Sequence, residues 1–203
     1  MSFYLPSFEE CLEICDKNES FVHKIENVNG FVVHIFNYRL ASFSDFETPI
    51  SENPWIKAYE LRGLTFIEYE VTKERYLMLH KWFNLNQTDG YMYDDVKNKK
   101  IIRIQEKLDG SMIRFIKLPD GSIVAKTKMG FNNDQAKMAN EIFSKNSSIS
   151  ALVEDCLDDK IAAIFELVSP YNRIVVGYNN TELRLLQLRN EETGDYIHEI
   201  NKY

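Results

Sequence analysis

What most limits the folds open to this chain is a series of short runs in which apolar and polar residues alternate, each closed by a turn-forming cluster. A period of two marks a strand that buries one face, because successive side chains leave the pleated backbone on opposite sides. Residues 21–26 and 31–36 read as strands joined through Asn27-Val28-Asn29-Gly30, a turn cluster, and residues 63–71 as a third by their β-branched and aromatic content. Residues 101–105, 112–117 and 122–128 read as a meander, with Pro119-Asp120-Gly121 at its second turn. Residues 161–168, 173–178 and 183–189 return to strand, and Glu192-Thr193-Gly194-Asp195 turns the chain into Tyr196 and Ile197.

Helical spacing is confined to three segments. Ser7-Phe8-Glu9-Glu10 is a capping box opening an amphipathic helix with Phe8, Cys11, Leu12 and Cys15 on one side, and residues 133–145 and 149–157 supply two more. There is no internal repeat, low-complexity linker or clear domain boundary. The pattern predicts an α+β fold, mainly antiparallel sheet with a few helices, in one domain.

Composition narrows the functional classes. A formal net charge of −7 over 203 residues gives no globally basic face for nucleic acid, although Lys97, Lys99, Lys100, Arg103 and Lys107 form a local basic concentration. No apolar run is long enough to cross a membrane and no signal-peptide pattern opens the chain, so a cytoplasmic location is expected. Three cysteines suit a reducing compartment, and the scattered histidines give Cys11 and Cys15 no second pair for a closed zinc site.

The stretch IIRIQEKLDGSMIRF (101–115) breaks its alternation at Lys107-Leu108-Asp109-Gly110-Ser111. Asp-Gly favours a two-residue hairpin turn, and that is one reading. The other makes Lys107 a nucleophile at a strand end. A lysine amine has a reference pKa of roughly 10.4, so burial and neighbouring positive charge would have to free its lone pair. Gly110 would let backbone approach a ligand, and Ser111 offers a hydroxyl to phosphate oxygens. Glu166 stands alone in the apolar run IAAIFELVSP, where an unpaired carboxylate is costly and so points to a role.

EKLDGS resembles the Lys-x-Asp-Gly motif of covalent nucleotidyltransferases: RNA ligases, DNA ligases and capping enzymes. HIFNYRLASFSDF (34–46), ELRGLTFIE (60–68), KWFNLNQ (81–87), KTKMGF (126–131), DQAKMAN (134–140), FELVSPYNRIVVGY (165–178) and LLQLRNEETGDYI (185–197) resemble, in order, segments of the bacteriophage ATP-dependent single-strand RNA ligases that repair tRNA. The resemblance implies an antiparallel-sheet-rich nucleotidyltransferase (adenylyltransferase) domain of the ATP-grasp-like DNA/RNA ligase type. Lys107 would attack the α-phosphorus of ATP and carry AMP. Arg62, Lys81, Lys128, Glu166 and Tyr38 would line the nucleotide pocket, with Mg²⁺ bridging the leaving phosphates.

The implied partner is RNA with 5′-phosphate and 3′-hydroxyl ends, in tRNA, served by a polynucleotide kinase-phosphatase of the same pathway. Family members continue with a Glu-Gly segment, a Lys-x-Lys segment and a C-terminal tRNA-specificity domain. None of these occurs before Tyr203, so residues 1–203 are expected to be a partial N-terminal adenylyltransferase domain, slow or inactive alone; a split product completed by a separate polypeptide and a fragment of a longer chain are both open readings. A remnant that binds nucleotide or RNA without completing ligation is the alternative, and a capping guanylyltransferase is another within the superfamily.

Overall fold

The computed structural model describes residues 4–47, 57–171 and 175–198. Two antiparallel sheets face one another. The first has the order β1-β2-β3-β4, from Phe21–Val28, Phe31–Tyr38, Leu64–Tyr69 and Thr72–Tyr76. The second has the order β6-β5-β7-β8-β9, from Ile123–Thr127, Ser111–Lys117, Ile161–Val168, Glu182–Asn190 and Tyr196–Ile197.

Local chemistry explains the connections. Asn29 and Gly30 both take positive φ, 52° and 91°, which is the left-handed twist a two-residue hairpin between β1 and β2 requires. Helix α1 (Phe8–Lys17) starts on its capping box: the Ser7 hydroxyl accepts from the Glu10 N–H at 3.2 Å, and the Glu10 carboxylate accepts from the Ser7 N–H at 2.7 Å. Its buried Cys11 and Ile14 pack with Phe36, Leu64 and Phe66 on the outer face of the first sheet, where the short helix α2 (Phe43–Glu47) adds Phe46. Helices α4 (Asp134–Lys145) and α5 (Ser147–Asp158) cover the outer face of the second sheet over Ile113, Phe115, Ala163, Phe165 and Leu167; α3 is the short turn Tyr93–Val96.

The inner faces meet in a layer that joins Val33, Ile35 and Ile67 to Ile116, Leu118 and Phe131. Period two then settles which charges are turned into this junction. In β5, Arg114 lies between Met112 and Ile116; in β6, Lys126 follows Val124; in β7, Glu166 follows Ile164. The strand β7 is central and buried along nearly its whole length, which is why its sequence is an apolar run rather than an alternation.

Three expectations are corrected. Residues 101–105 form no strand: Ile101, Ile102 and Ile104 are exposed, and the segment meets β8 through its side chains, with Arg103 donating to the Gln187 Oε1 at 3.1 Å and Gln105 accepting from the Gln187 Nε2 at 2.9 Å and donating to the Leu186 carbonyl at 3.4 Å. Lys107 therefore does not sit in a hairpin, because an alternating sequence becomes a strand only where a backbone edge is offered to it. Residues 175–178 are not a strand either, while residues 173 and 174 of that predicted element lie outside the described residues. Conversely, β4 (TKERY) was not anticipated: its polar run lacks alternation, and pairing with β3 through the Glu70-Val71 turn makes it a strand.

Candidate active site

Glu166 is the centre of the arrangement. It faces Met112 of β5 and Arg184 of β8, and it is only partly exposed. Burial pushes its carboxyl above the usual carboxylate range. The Gly110 N–H that it accepts, then the charges of Arg62 and Lys107, pull the other way, while Asp109 adds to the rise. Four residues from two separated segments thus act on one carboxylate.

Gly110 makes this possible. A Cβ there would fall inside the Leu167 carbonyl oxygen and 3.2 Å from the Glu166 Cγ, so the loop can lie against β7 only as glycine. Asp109 has a different task. Its Oδ2 accepts from the Val175 and Val176 N–H groups at 2.5 and 2.7 Å, and its own N–H donates to the Tyr178 hydroxyl at 3.0 Å. Lys107 itself is exposed, against the burial expected from two flanking strands, because only β5 follows it and nothing regular precedes it.

Arg62 enters from the other sheet. It precedes Gly63, whose φ of +88° and close approach to the turn after β6 (a Cβ would stand 2.7 Å from the Lys128 Cα) bring the two sheets together here. The Arg62 Nη1 donates to the His80 carbonyl at 3.5 Å, while its Nε is buried with no hydrogen-bond partner among the described residues. A buried guanidinium N–H favours a charged acceptor, and phosphate oxygens suit it. Lys128 lies close enough that burial and then Arg62 lower its pKa.

Tyr38 and Lys81 form a tier beside these groups. The Lys128 Nζ stands 5.0 Å from the centre of the Tyr38 ring, Tyr38 packs edge-on against Phe46 at 4.9 Å, and the Lys81 Nζ lies 5.5 Å over Phe46 and 5.3 Å over Phe83. The structure therefore joins Lys107, Arg62, Glu166 and Lys128, attaches Tyr38 through Lys128, and leaves Lys81 on the aromatic flank rather than at the carboxylate.

Beneath Arg62 lies a support not evident in the sequence. The buried Arg189 of β8 holds Glu60 bidentately at 2.6 and 2.8 Å, and donates to the carbonyls of Met78 and Gly194 at 2.7 Å each. Glu60 closes the 3₁₀ turn Ala58–Glu60, two residues before Arg62. His80 Nδ1 lies 2.7 Å from the Tyr196 hydroxyl and receives the Trp82 indole N–H at 3.1 Å; burial, then Arg189 and Arg62, bring its pKa down to about 3, so the ring stays neutral. Only chain separation hides these partners: Arg189 lies 129 residues from Glu60.

Among the described residues no group of three or more His, Cys, Asp or Glu side chains comes together to hold a metal ion. No helix among them is long and apolar enough to cross a membrane.

Comparison with known proteins adds the following. A family model described as RNA ligase matches residues 60–202. A candidate RNA ligase of Thermovibrio ammonificans is 29% identical over 191 residues, covering 94% of this chain and 47% of that protein. A candidate bifunctional polynucleotide kinase/RNA ligase of Autographa californica nuclear polyhedrosis virus is 27% identical, covering 91% of this chain and 27% of that protein. The chain thus spans about half the length of the first relative and about a quarter of the second. Two forms of an archaeal ATP-dependent RNA ligase share the fold, with TM-scores of 0.53 and 0.55 at 14% identity, over 92% of this chain and 44% of theirs.

Proposed function

The chain belongs to the RNA ligase family matched over residues 60–202, and from that premise we propose that it is the nucleotidyltransferase part of an ATP-dependent RNA ligase. The observation that carries the reading is the convergence of Gly110, Arg62 and Lys107 on Glu166. In the proposed reaction the Lys107 Nζ lone pair attacks the α-phosphorus of ATP. A phosphorus–nitrogen bond forms, the bond to the bridging oxygen breaks, pyrophosphate leaves with those electrons, and the amine loses a proton. AMP then passes to an RNA 5′-phosphate, and a 3′-hydroxyl displaces it to form the phosphodiester.

The chain's own groups have distinct parts. Arg62, with its unsatisfied Nε, and Lys128 bind phosphate oxygens and oppose the charge that gathers on them. Glu166 accepts from the nucleotide's hydroxyl or amine hydrogens, and Tyr38 offers a ring at the pocket wall. Lys81 would serve the outgoing phosphates, which requires it to leave the Phe46 and Phe83 rings. Mg²⁺, when bound with ATP, would spread the charge of the leaving phosphates. We further propose RNA with a 5′-phosphate and a 3′-hydroxyl as substrate, in tRNA repair, with a kinase-type activity preparing the 5′ end. The naming of the viral relative as a candidate kinase/ligase supports that pairing.

The test is incubation with α-labelled ATP and Mg²⁺ followed by a denaturing gel. Label is expected on the wild-type chain and not on Lys107→Ala. Absence of label, even when a polypeptide covering the rest of the relatives' length is supplied, would overturn the reading. The exposure of Lys107 favours a second possibility, nucleotide or RNA binding without a covalent product. That outcome would show as ATP affinity indifferent to Lys107→Arg on an unlabelled protein, and a preference for GTP label would point to capping chemistry instead.

A further inference from the structure

Lys126 is a buried lysine that the proposed reaction leaves unused. It is fully excluded from solvent, yet its partners are uncharged: the Nζ donates to the Gly63 carbonyl at 2.7 Å and lies 3.2 Å from the Met78 Sδ. Such an environment disfavours an ammonium. Burial, then Arg114, hold its pKa well below the usual lysine range, partly offset by Glu26.

The place of this bond in the fold gives it meaning. Gly63 directly follows Arg62 at the entrance to β3, and Lys126 lies near the end of β6, two residues before Lys128 in the turn that follows the strand. A Cβ on Gly63 would be 2.7 Å from both the Lys128 Cα and the Met78 Sδ, so the two sheets touch backbone to backbone at this point. The bond from Lys126 to Gly63 is a polar stitch across that contact.

We infer that Lys126 is a positioning residue: by holding the Gly63 carbonyl it fixes Arg62, carried by the first sheet, relative to Lys128, carried by the second. This rests on the reading of both as nucleotide-pocket cations. An amine is suited to the place because it can reach a backbone carbonyl through the packed layer on a thin apolar stem. Holding charges at a set separation before the ligand arrives is what makes them effective on a phosphate.

The experiment compares wild type with Lys126→Met, which keeps an unbranched stem and removes the donor. The Gly63 carbonyl keeps a second donor in this variant, the Thr65 hydroxyl at 3.0 Å, so the thermal midpoint should change little. ATP affinity by titration calorimetry should fall by about tenfold, as expected for modest misplacement of binding groups. Amide hydrogen exchange should quicken at residues 62–64 and 127–130 and stay unchanged elsewhere in both sheets. Lys126→Gln, which keeps an N–H donor, should recover part of both effects.

Unchanged affinity with unchanged exchange would overturn the inference. So would failure of both variants to fold, which would make Lys126 a support of the whole molecule rather than of the site. If wild type binds no ATP, the nucleotide reading falls, and the exchange pattern alone decides whether Lys126 is the tie.

Discussion

At the scale of single residues, two substitutions separate the roles within the candidate site. Gly110→Ala should destabilise the protein by about 1–3 kcal/mol or more, since the added carbon overlaps backbone that cannot move aside. Gly121, with φ +86° and open space around it, should lose only the smaller cost of a strained φ on the same change; denaturant titration of both variants measures the contrast. Glu166→Gln tests the carboxylate. Its pKa is raised on folding, so the stability it contributes is full below its unfolded value near 4.5 and is lost as pH rises through the higher folded value. The variant should therefore melt above wild type at pH 7, with the difference vanishing at low pH, while ATP labelling falls. Glu166 was legible in the sequence because a lone carboxylate in an apolar run has few structural excuses. Lys126 was not, since a lysine on a half-buried strand looks like a surface residue until the opposing sheet is known.

At the scale of elements, the sequence is most readable where structure is set locally. The capping box of α1, the Asn29-Gly30 hairpin and helix α4, capped by Asn133, follow from neighbours within a few residues. Ser7→Ala should accordingly cost about 1 kcal/mol, read as a shift in the denaturation midpoint with no change in ATP labelling. Strands are less readable because their state depends on a partner edge. TKERY becomes β4 although its pattern is polar, and residues 101–105 remain irregular although theirs alternates. The same limit hid the setting of Lys107. The sequence marks where the nucleophile candidate stands, while its exposure depends on which strands reach its neighbourhood.

At the scale of the whole molecule, the two sheets are joined by apolar contact and by a few buried charges. Arg189 with Glu60, and Arg114 with the Leu77 carbonyl, tie the second sheet to segments belonging with the first, and Glu191 at the end of β8 accepts from both Arg114 and the Leu77 N–H. Removing one partner leaves an unpaired buried charge, so Arg189→Met should cost about 3–5 kcal/mol, and a paired Arg189→Met, Glu60→Leu replacement should recover much of it. Thermal unfolding of the two variants measures the difference.

Asp109 gives the molecule a mechanical linkage as well. Since it grips the backbone at Val175 and Val176 and meets Tyr178, the loop bearing Lys107 and the chain beyond β7 behave as one lever. A swing of that amine over a phosphate would have to carry residues 175–178 with it, so protease cleavage there should slow or hasten as nucleotide is loaded.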